Sequence, residues 1–216
     1  MRITKFGHSC IRIEHDGHTL VIDPGGFTQP EAVDGADAVL VTHEHPDHYH
    51  PAHLVRASAP VFTIDAVAQR IREDSPEVAE QLTVVSPEQT FEAAGLPVRA
   101  VGEQHAVIHP DLPRFDNSGY VVTLATPSGD QKVFHPGDAL TPPGEPVDLL
   151  CVVVSAPWMK VSEAVDFARL VGAPRNLAIH DRVYSEAGLG IVDGHLSRLL
   201  PDTQAYARVP DGADLV

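Results

Sequence analysis

Residues 42 to 50 read THEHPDHYH, so His43, His45, Asp47, His48 and His50 follow one another within eight positions. On an extended segment His43 and His45 share a face, and a loop can converge them on one ion. The pattern is H-x-H-x-D-H. It is not the helical H-E-x-x-H of zinc proteases, because position 47 is Asp and Pro46 would break such a helix. A catalytic zinc takes about three protein ligands and keeps a place for water. Four donors within six residues therefore fit two neighbouring ions better than one. Further donors are expected at the ends of strands: His105 closes VRAVGEQH, Asp138 lies in VFHPGDAL, and His180 closes NLAIH. His109, four residues past His105, is the alternative ligand there; His105 is preferred because it directly ends a strand.

The elements that must position these residues are mostly strands. RITKF, CIRIEH, TLVID, GADAVLVT, LTVV, VRAVGEQH, SGYVVTLAT, QKVFHP, DLLCVVVS and NLAIH are alternating or continuously apolar runs. DGHT and PSGD read as turns between them. Helices are expected at PAHLVRA, with Pro51 in its first turn, at DAVAQRIRED with Asp65 as N-cap, and at SEAVDFARLVG, capped by Ser162 and stopped by Gly172. DGHLSRLL is a fourth helical segment. The order, β-rich then α twice over, predicts an α/β fold of two sheet-and-helix halves packed as a four-layer αββα sandwich, with residues 1–216 forming one domain.

Composition narrows the function classes. The net charge of -15 disfavours a nucleic-acid partner. No apolar run approaches the length of a membrane span, and no secretory leader pattern is visible, so a cytoplasmic protein without a membrane partner is expected. Cys10 and Cys151 sit in apolar runs and read as buried thiols rather than a disulfide.

These motifs, in this order, resemble the metallo-β-lactamase superfamily. Asp23 in LVIDPGG matches its first motif, THEHPDH the second, His105 the third, Gly137-Asp138 the fourth and His180 the fifth. GHSC at the start and GYVVTL before HPGD further resemble the small branch related to ascorbate-phosphate lactonases and metal-dependent hydrolases. The resemblance implies one metal on His43, His45 and His105, another on Asp47, His48 and His180, and Asp138 between them. Five imidazoles and two carboxylates suit two divalent ions, zinc first, with manganese or iron as alternatives. Because His45 and His48 are both present, hydrolysis is favoured over the iron redox chemistry of some relatives. The expected activity is cleavage of a small-molecule ester, lactone or phosphoester by metal-activated water. The competing readings are an RNA- or DNA-processing phosphodiesterase and a metal-holding binding protein without turnover.

Within that resemblance Asp47 is the candidate for orienting the nucleophile and passing a proton to the leaving group. Asp23 is expected to fix a ligand histidine. His8, in GHSC, has two open roles: contact with substrate or metal-bound water, or a buried structural histidine. His50 and His53 are expected in solvent at a helix start, and His15, His18, His135 and His195 off the metal. Trp158 and Met159 could wall the pocket and Lys160 could reach an anionic substrate, or the segment is loop packing; Arg182 and Tyr184 are similar candidates. A homo-oligomer is an open expectation.

Overall fold

The computed structural model describes residues 1–215. Its first sheet contains β1 (Arg2–Lys5), β2 (Ile11–His15), β3 (His18–Ile22), β4 (Ala38–Val41), β5 (Val61–Thr63) and β6 (Leu82–Val84). The second contains β7 (Thr90–Ala93), β8 (Leu96–Val101), β9 (Gly119–Leu124), β10 (Gln131–His135), β11 (Leu149–Val153), β12 (Arg175–Ile179) and β13 (Ala205–Ala207). The final strand, β14 (Ala213–Asp214), returns to the first sheet and pairs antiparallel with β1. The sheet orders are β14-β1-β2-β3-β4-β5-β6 and β13-β12-β11-β10-β9-β8-β7. Each sheet begins with antiparallel hairpins and continues in parallel strands, joined by crossovers.

The period-two burial of the strands produces the layers. Leu40 faces inward to the inter-sheet core with Ile13, Ile22, Val122, Cys151 and Ile179. Its neighbours Val39 and Val41 face outward and pack with Leu54 of α1 (Pro51–Ala57) and Val67 and Ile71 of α2 (Asp65–Asp74). In the second sheet Leu150 and Val152 face outward, under Val165 and Ala168 of α3 (Val161–Val171) and Val192 and Leu196 of α4 (Glu186–Leu199). Apolar surface on both faces of both sheets is thereby buried, and the αββα sandwich follows. Tyr120 crosses the core and donates from Oη to the Val41 carbonyl at 2.9 Å, tying one sheet to the other.

Several local expectations shift. Ile64, not Asp65, is the N-cap of α2, and Asp65 is its first residue, where a carboxylate favours the helix dipole. The third helix starts one residue before Ser162, which therefore does not cap it. Glu163 instead accepts from the Lys160 amide at 2.6 Å. The fourth helix is longer than DGHLSRLL, running back to Ser185, whose hydroxyl accepts from the Gly188 amide at 3.3 Å. Gly188, Gly190 and Gly194 weaken the helical signal there, and burial of Leu189, Val192 and Leu196 overrides it. His53 is buried, not solvated, whereas His50 is exposed.

Candidate metal centre

The donors gather at the carboxyl ends of the central strands and in the loops beside them. Val41 ends β4, and Thr42 to His48 follow it; His180 directly follows β12. His105 lies four residues beyond β8, past Gly102, and Asp138 three beyond β10. Two groups of ligand-competent side chains result: His43, His45, His105 and Asp138, and beside them His8, Asp47, His48 and His180. Within each group the donor atoms lie within 4.8 Å of one another. Asp138 joins the groups. Its carboxylate oxygens stand 3.1 Å from His48 Nε2, 3.2 Å from His180 Nε2, 3.4 Å from His105 Nε2 and 4.0 Å from His43 Nε2.

Three of the site's residues adopt left-handed backbone: His8 (φ 63), Asp23 (φ 51) and His180 (φ 60). That conformation costs an L-residue about 1–2 kcal/mol, so the surroundings must hold it. The His180 amide donates to the His8 carbonyl at 3.0 Å, and the Ser155 hydroxyl donates to the His180 carbonyl at 2.5 Å. Lys5, fully buried, places Nζ 2.5 Å from Asp181 and 2.9 Å from Asp211, anchoring the residue next to His180. Gly25 permits the closest approach, since a Cβ there would lie 1.8 Å from the Asp47 carbonyl oxygen.

The hydrogen bonds fix the imidazole tautomers. Thr42 donates its hydroxyl to Asp23 Oδ2 at 2.7 Å, so His43 Nδ1, 2.9 Å from that hydroxyl, must be the donor of their bond. His48 Nδ1 donates to Asp23 Oδ2 at 2.6 Å, His105 Nδ1 to the Ala106 carbonyl at 2.6 Å, and His180 Nδ1 to the Ser155 carbonyl. All four rings consequently turn Nε2 toward Asp138, as a ligand histidine does when its other nitrogen is anchored. His8 differs. Its Nδ1 accepts from the Arg182 amide at 3.1 Å, leaving Nε2–H to donate to Asp47 Oδ2 at 3.1 Å. Of its two open roles, it is a buried histidine bonded to the Asp47 carboxylate.

A divalent cation fits these donors. Bonds of about 2.0–2.1 Å in tetrahedral geometry separate ligand atoms by about 3.3 Å. His43 Nε2 and His45 Nδ1 are 3.1 Å apart, and His180 Nε2 and Asp47 Oδ2 3.3 Å apart. Buried His105 Nε2, His180 Nε2 and Asp138 Oδ1 have no hydrogen-bond partner within the protein, and a cation between them would meet all three.

The electrostatics agree. Burial pushes His43 and His45 below the usual histidine range, aided by neighbouring imidazoles. Burial also pushes His48 and His180 down, but the carboxylates outweigh it: Asp138 and Asp23 raise His48, and Asp138 and Asp47 lift His180 to about 9. Burial raises Asp47 and Asp138 in turn, and the facing imidazoles hold both well below the carboxylate range. The cluster thus favours positive charge among its carboxylates, which protons or metal can supply.

The structure brings all seven expected metal donors together and sets His8 beside them, bonded to Asp47. His109 is exposed, bonded to the Asp111 amide at 3.1 Å and outside both groups. Trp158 does wall the site, its Nε1–H donating to Asp138 Oδ2 at 3.3 Å. Met159 does not: it is buried in the inter-sheet core. Lys160 is exposed, the Arg182 guanidinium pairs with Asp211, and the Tyr184 hydroxyl donates to the Ala156 carbonyl at 3.3 Å. Sequence reading passed over Asn117, whose Oδ1 accepts from the Asp138 amide at 3.0 Å while Nδ2 donates to the Pro136 carbonyl at 3.0 Å. It also passed over Phe115, stacked edge-on to His45 with ring centroids 4.4 Å apart. Neither carries a spacing signal; only the fold returns them to the site.

Comparison with known proteins places this geometry. Residues 2–180 match the family described as Beta-lactamase superfamily domain. The chain is 40% identical over 208 residues to protein Rv0786c of Mycobacterium tuberculosis, covering 92% of each chain. It is 30% identical over 151 residues to a UPF0173 metal-dependent hydrolase of Methanopyrus kandleri, covering 64% of this chain and 62% of that one. The crystal structure of Igni18, a metallo hydrolase of Ignicoccus hospitalis, superposes with a TM-score of 0.74 at 17% identity, over 99% of this chain and 97% of that one. The described helices include none long and apolar enough to cross a membrane. Two mixed sheets enclosed by helices, donors at the strand ends and a match across most of the chain converge on one conclusion: the chain belongs to the metallo-β-lactamase superfamily.

Proposed function

We propose that the centre holds two divalent ions, zinc by preference, and hydrolyses a small ester, lactone or phosphoester. One observation carries the reading: two adjacent groups of ligand atoms meet across Asp138, with four anchored imidazoles turning Nε2 toward it. His43, His45 and His105 would hold one ion, Asp47, His48 and His180 the other, and Asp138 would reach both. When bound, such ions supply Lewis acidity and bring the pKa of a water to about 7.

The chain's own groups do the rest. Asp23 holds the His48 ring and, through Thr42, the His43 ring. Asp47 accepts the proton of the attacking water and returns it to the leaving group. His8 donates to Asp47 Oδ2 and keeps that carboxylate aimed into the centre. The Trp158 indole and the Phe115 ring limit water around it.

The test is metal content with turnover. Purified protein should carry about two ions per chain, and His45→Ala should lose metal and hydrolysis together. Equal hydrolysis of an ester, lactone and phosphoester panel by the metal-stripped protein would overturn the reading.

A further inference from the structure

Trp158 is the chain's single tryptophan. It lies in the turn between β11 and α3, outside the seven donors, and touches two of them. Its Nε1–H donates to Asp138 Oδ2 at 3.3 Å, and its ring meets the His105 ring edge-on, with centroids 5.4 Å apart. The backbone holds it there. The Met159 amide donates to the Ala156 carbonyl at 3.2 Å, closing a turn with Pro157 at its second position. Met159 then enters the inter-sheet core, and the Lys160 amide donates to Glu163 Oε2 at 2.6 Å, where α3 begins.

The carboxylate it meets needs such a contact. An aspartate carboxylate turns about its last bond over a broad range, so its plane is not set by rotamer preference. Asn117 accepts from the Asp138 amide and so fixes the backbone, not the carboxylate oxygens. Asp138 Oδ1 has no hydrogen-bond partner within the protein. The imidazoles turn Nε2 toward the carboxylate, and an Nε2 that binds an ion no longer donates. An indole nitrogen can only donate. Among the described residues, Trp158 is thus the hydrogen-bond donor to the Asp138 carboxylate that lies outside the candidate ligands and keeps its proton when the centre is loaded.

The two groups do not depend equally on that bond. His43, His45 and His105 have Asp138 as their one carboxylate, whereas His48 and His180 also have Asp47. The ring contact of Trp158 with His105 falls on the first group as well. We propose that Trp158 is a positioning residue: its indole N–H sets the plane of the Asp138 carboxylate, and the ion at His43, His45 and His105 depends on that bond more than the ion at Asp47, His48 and His180. The proposal rests on the two-ion reading of the centre.

Zinc binding tests it. With one tryptophan in the chain, an analogue enters at one place. Benzothienylalanine, which carries sulfur in place of the indole N–H, removes the bond and keeps the ring shape. A ring-fluorinated tryptophan keeps both and adds a fluorine resonance. Purified protein, stripped of metal, would be titrated with zinc against a chromophoric chelator. The sulfur analogue should weaken one ion about 10–100-fold and leave the other nearly unchanged, and Trp158→Phe should follow it. The fluorinated protein should keep both affinities, and its resonance should shift with the ion that the sulfur analogue weakens. In His45→Ala, the affinity that remains should not respond to the sulfur analogue. Two affinities unchanged by that analogue would overturn the proposal, as would equal losses at both ions. So would a fall in the melting temperature of the metal-stripped analogue protein, because damage to the fold would then explain the weaker binding. A parent protein that binds a single ion would remove the two-ion reading; the role of Trp158 would stand if the sulfur analogue still weakened that ion and fall if it did not.

Discussion

Asp23 and His48 form a fully buried pair, with Nδ1 donating to Oδ2 at 2.6 Å. The same carboxylate accepts from the Thr42 amide at 2.8 Å and from the Thr42 hydroxyl. One side chain on the first sheet therefore sets the segment after β4 and the ring of a donor six residues farther on. Asp23→Asn keeps the shape but loses an acceptor for one of these donors. Metal affinity should fall about 10–100-fold, as measured by competition with a chromophoric chelator, while far-UV circular dichroism stays unchanged.

Lys5 is buried with its charge met by Asp181 and Asp211. Burial lowers its pKa, and Asp181 opposes that shift. Lys5→Met strands the Asp181 carboxylate and should destabilise the protein by about 3–5 kcal/mol in denaturant unfolding. The double variant Lys5→Met/Asp181→Asn should recover part of that loss. A double variant no more stable than the single one would show that packing, not charge, dominates there.

Gly25 lies against the backbone of Asp47 and His48. Gly25→Ala forces that segment away from β3 and should reduce both metal content and turnover by at least about tenfold. Gly35→Ala is a different case: nothing lies within 4 Å of its added Cβ, but its φ of 65° strains any side chain. It should cost about 1 kcal/mol in thermal stability and leave metal content intact.

His135 is buried between the Ser9 carbonyl, 2.8 Å from Nε2, and the Gly137 amide, 3.2 Å from Nδ1. Burial lowers its pKa, with Asp23 opposing. Its unfolded form takes up a proton near 6.5, so its contribution to stability is complete above that pH and declines as pH falls toward the depressed folded value. Chemical unfolding at pH 7.5 and 5.5 should show His135→Asn with a smaller acid loss than the parent protein. An identical loss in both would assign the acid sensitivity to other histidines.

The centre was legible in sequence to an unusual degree because its donors sit in short stretches tied to strand ends. His43, His45, Asp47 and His48 are contiguous enough to read directly, and His105, Asp138 and His180 each follow an apolar run. The layer order followed from where helical and strand periods alternate. Less visible were contacts made by chain return. The Lys5–Asp181 pair is separated by 176 positions, and neither residue stands out locally. The edge strand β7 was missed because TFEA is short and only half-buried. The first half of the fourth helix was masked by its glycines, whose cost the buried leucines and valine offset.

The spread of donors from His43 to His180 has a consequence for biosynthesis. A nascent chain stopped before β12 carries every expected donor except His180, and it lacks the Asp181 that Lys5 grips. A cation arriving during translation meets one complete group of donors and a second group still open at His180, and the N-terminal strand must wait for the far end of the polypeptide before its ammonium is neutralised. Ribosome-stalled intermediates of graded length, probed by protease, should therefore gain zinc-dependent protection abruptly once β12 has cleared the exit tunnel.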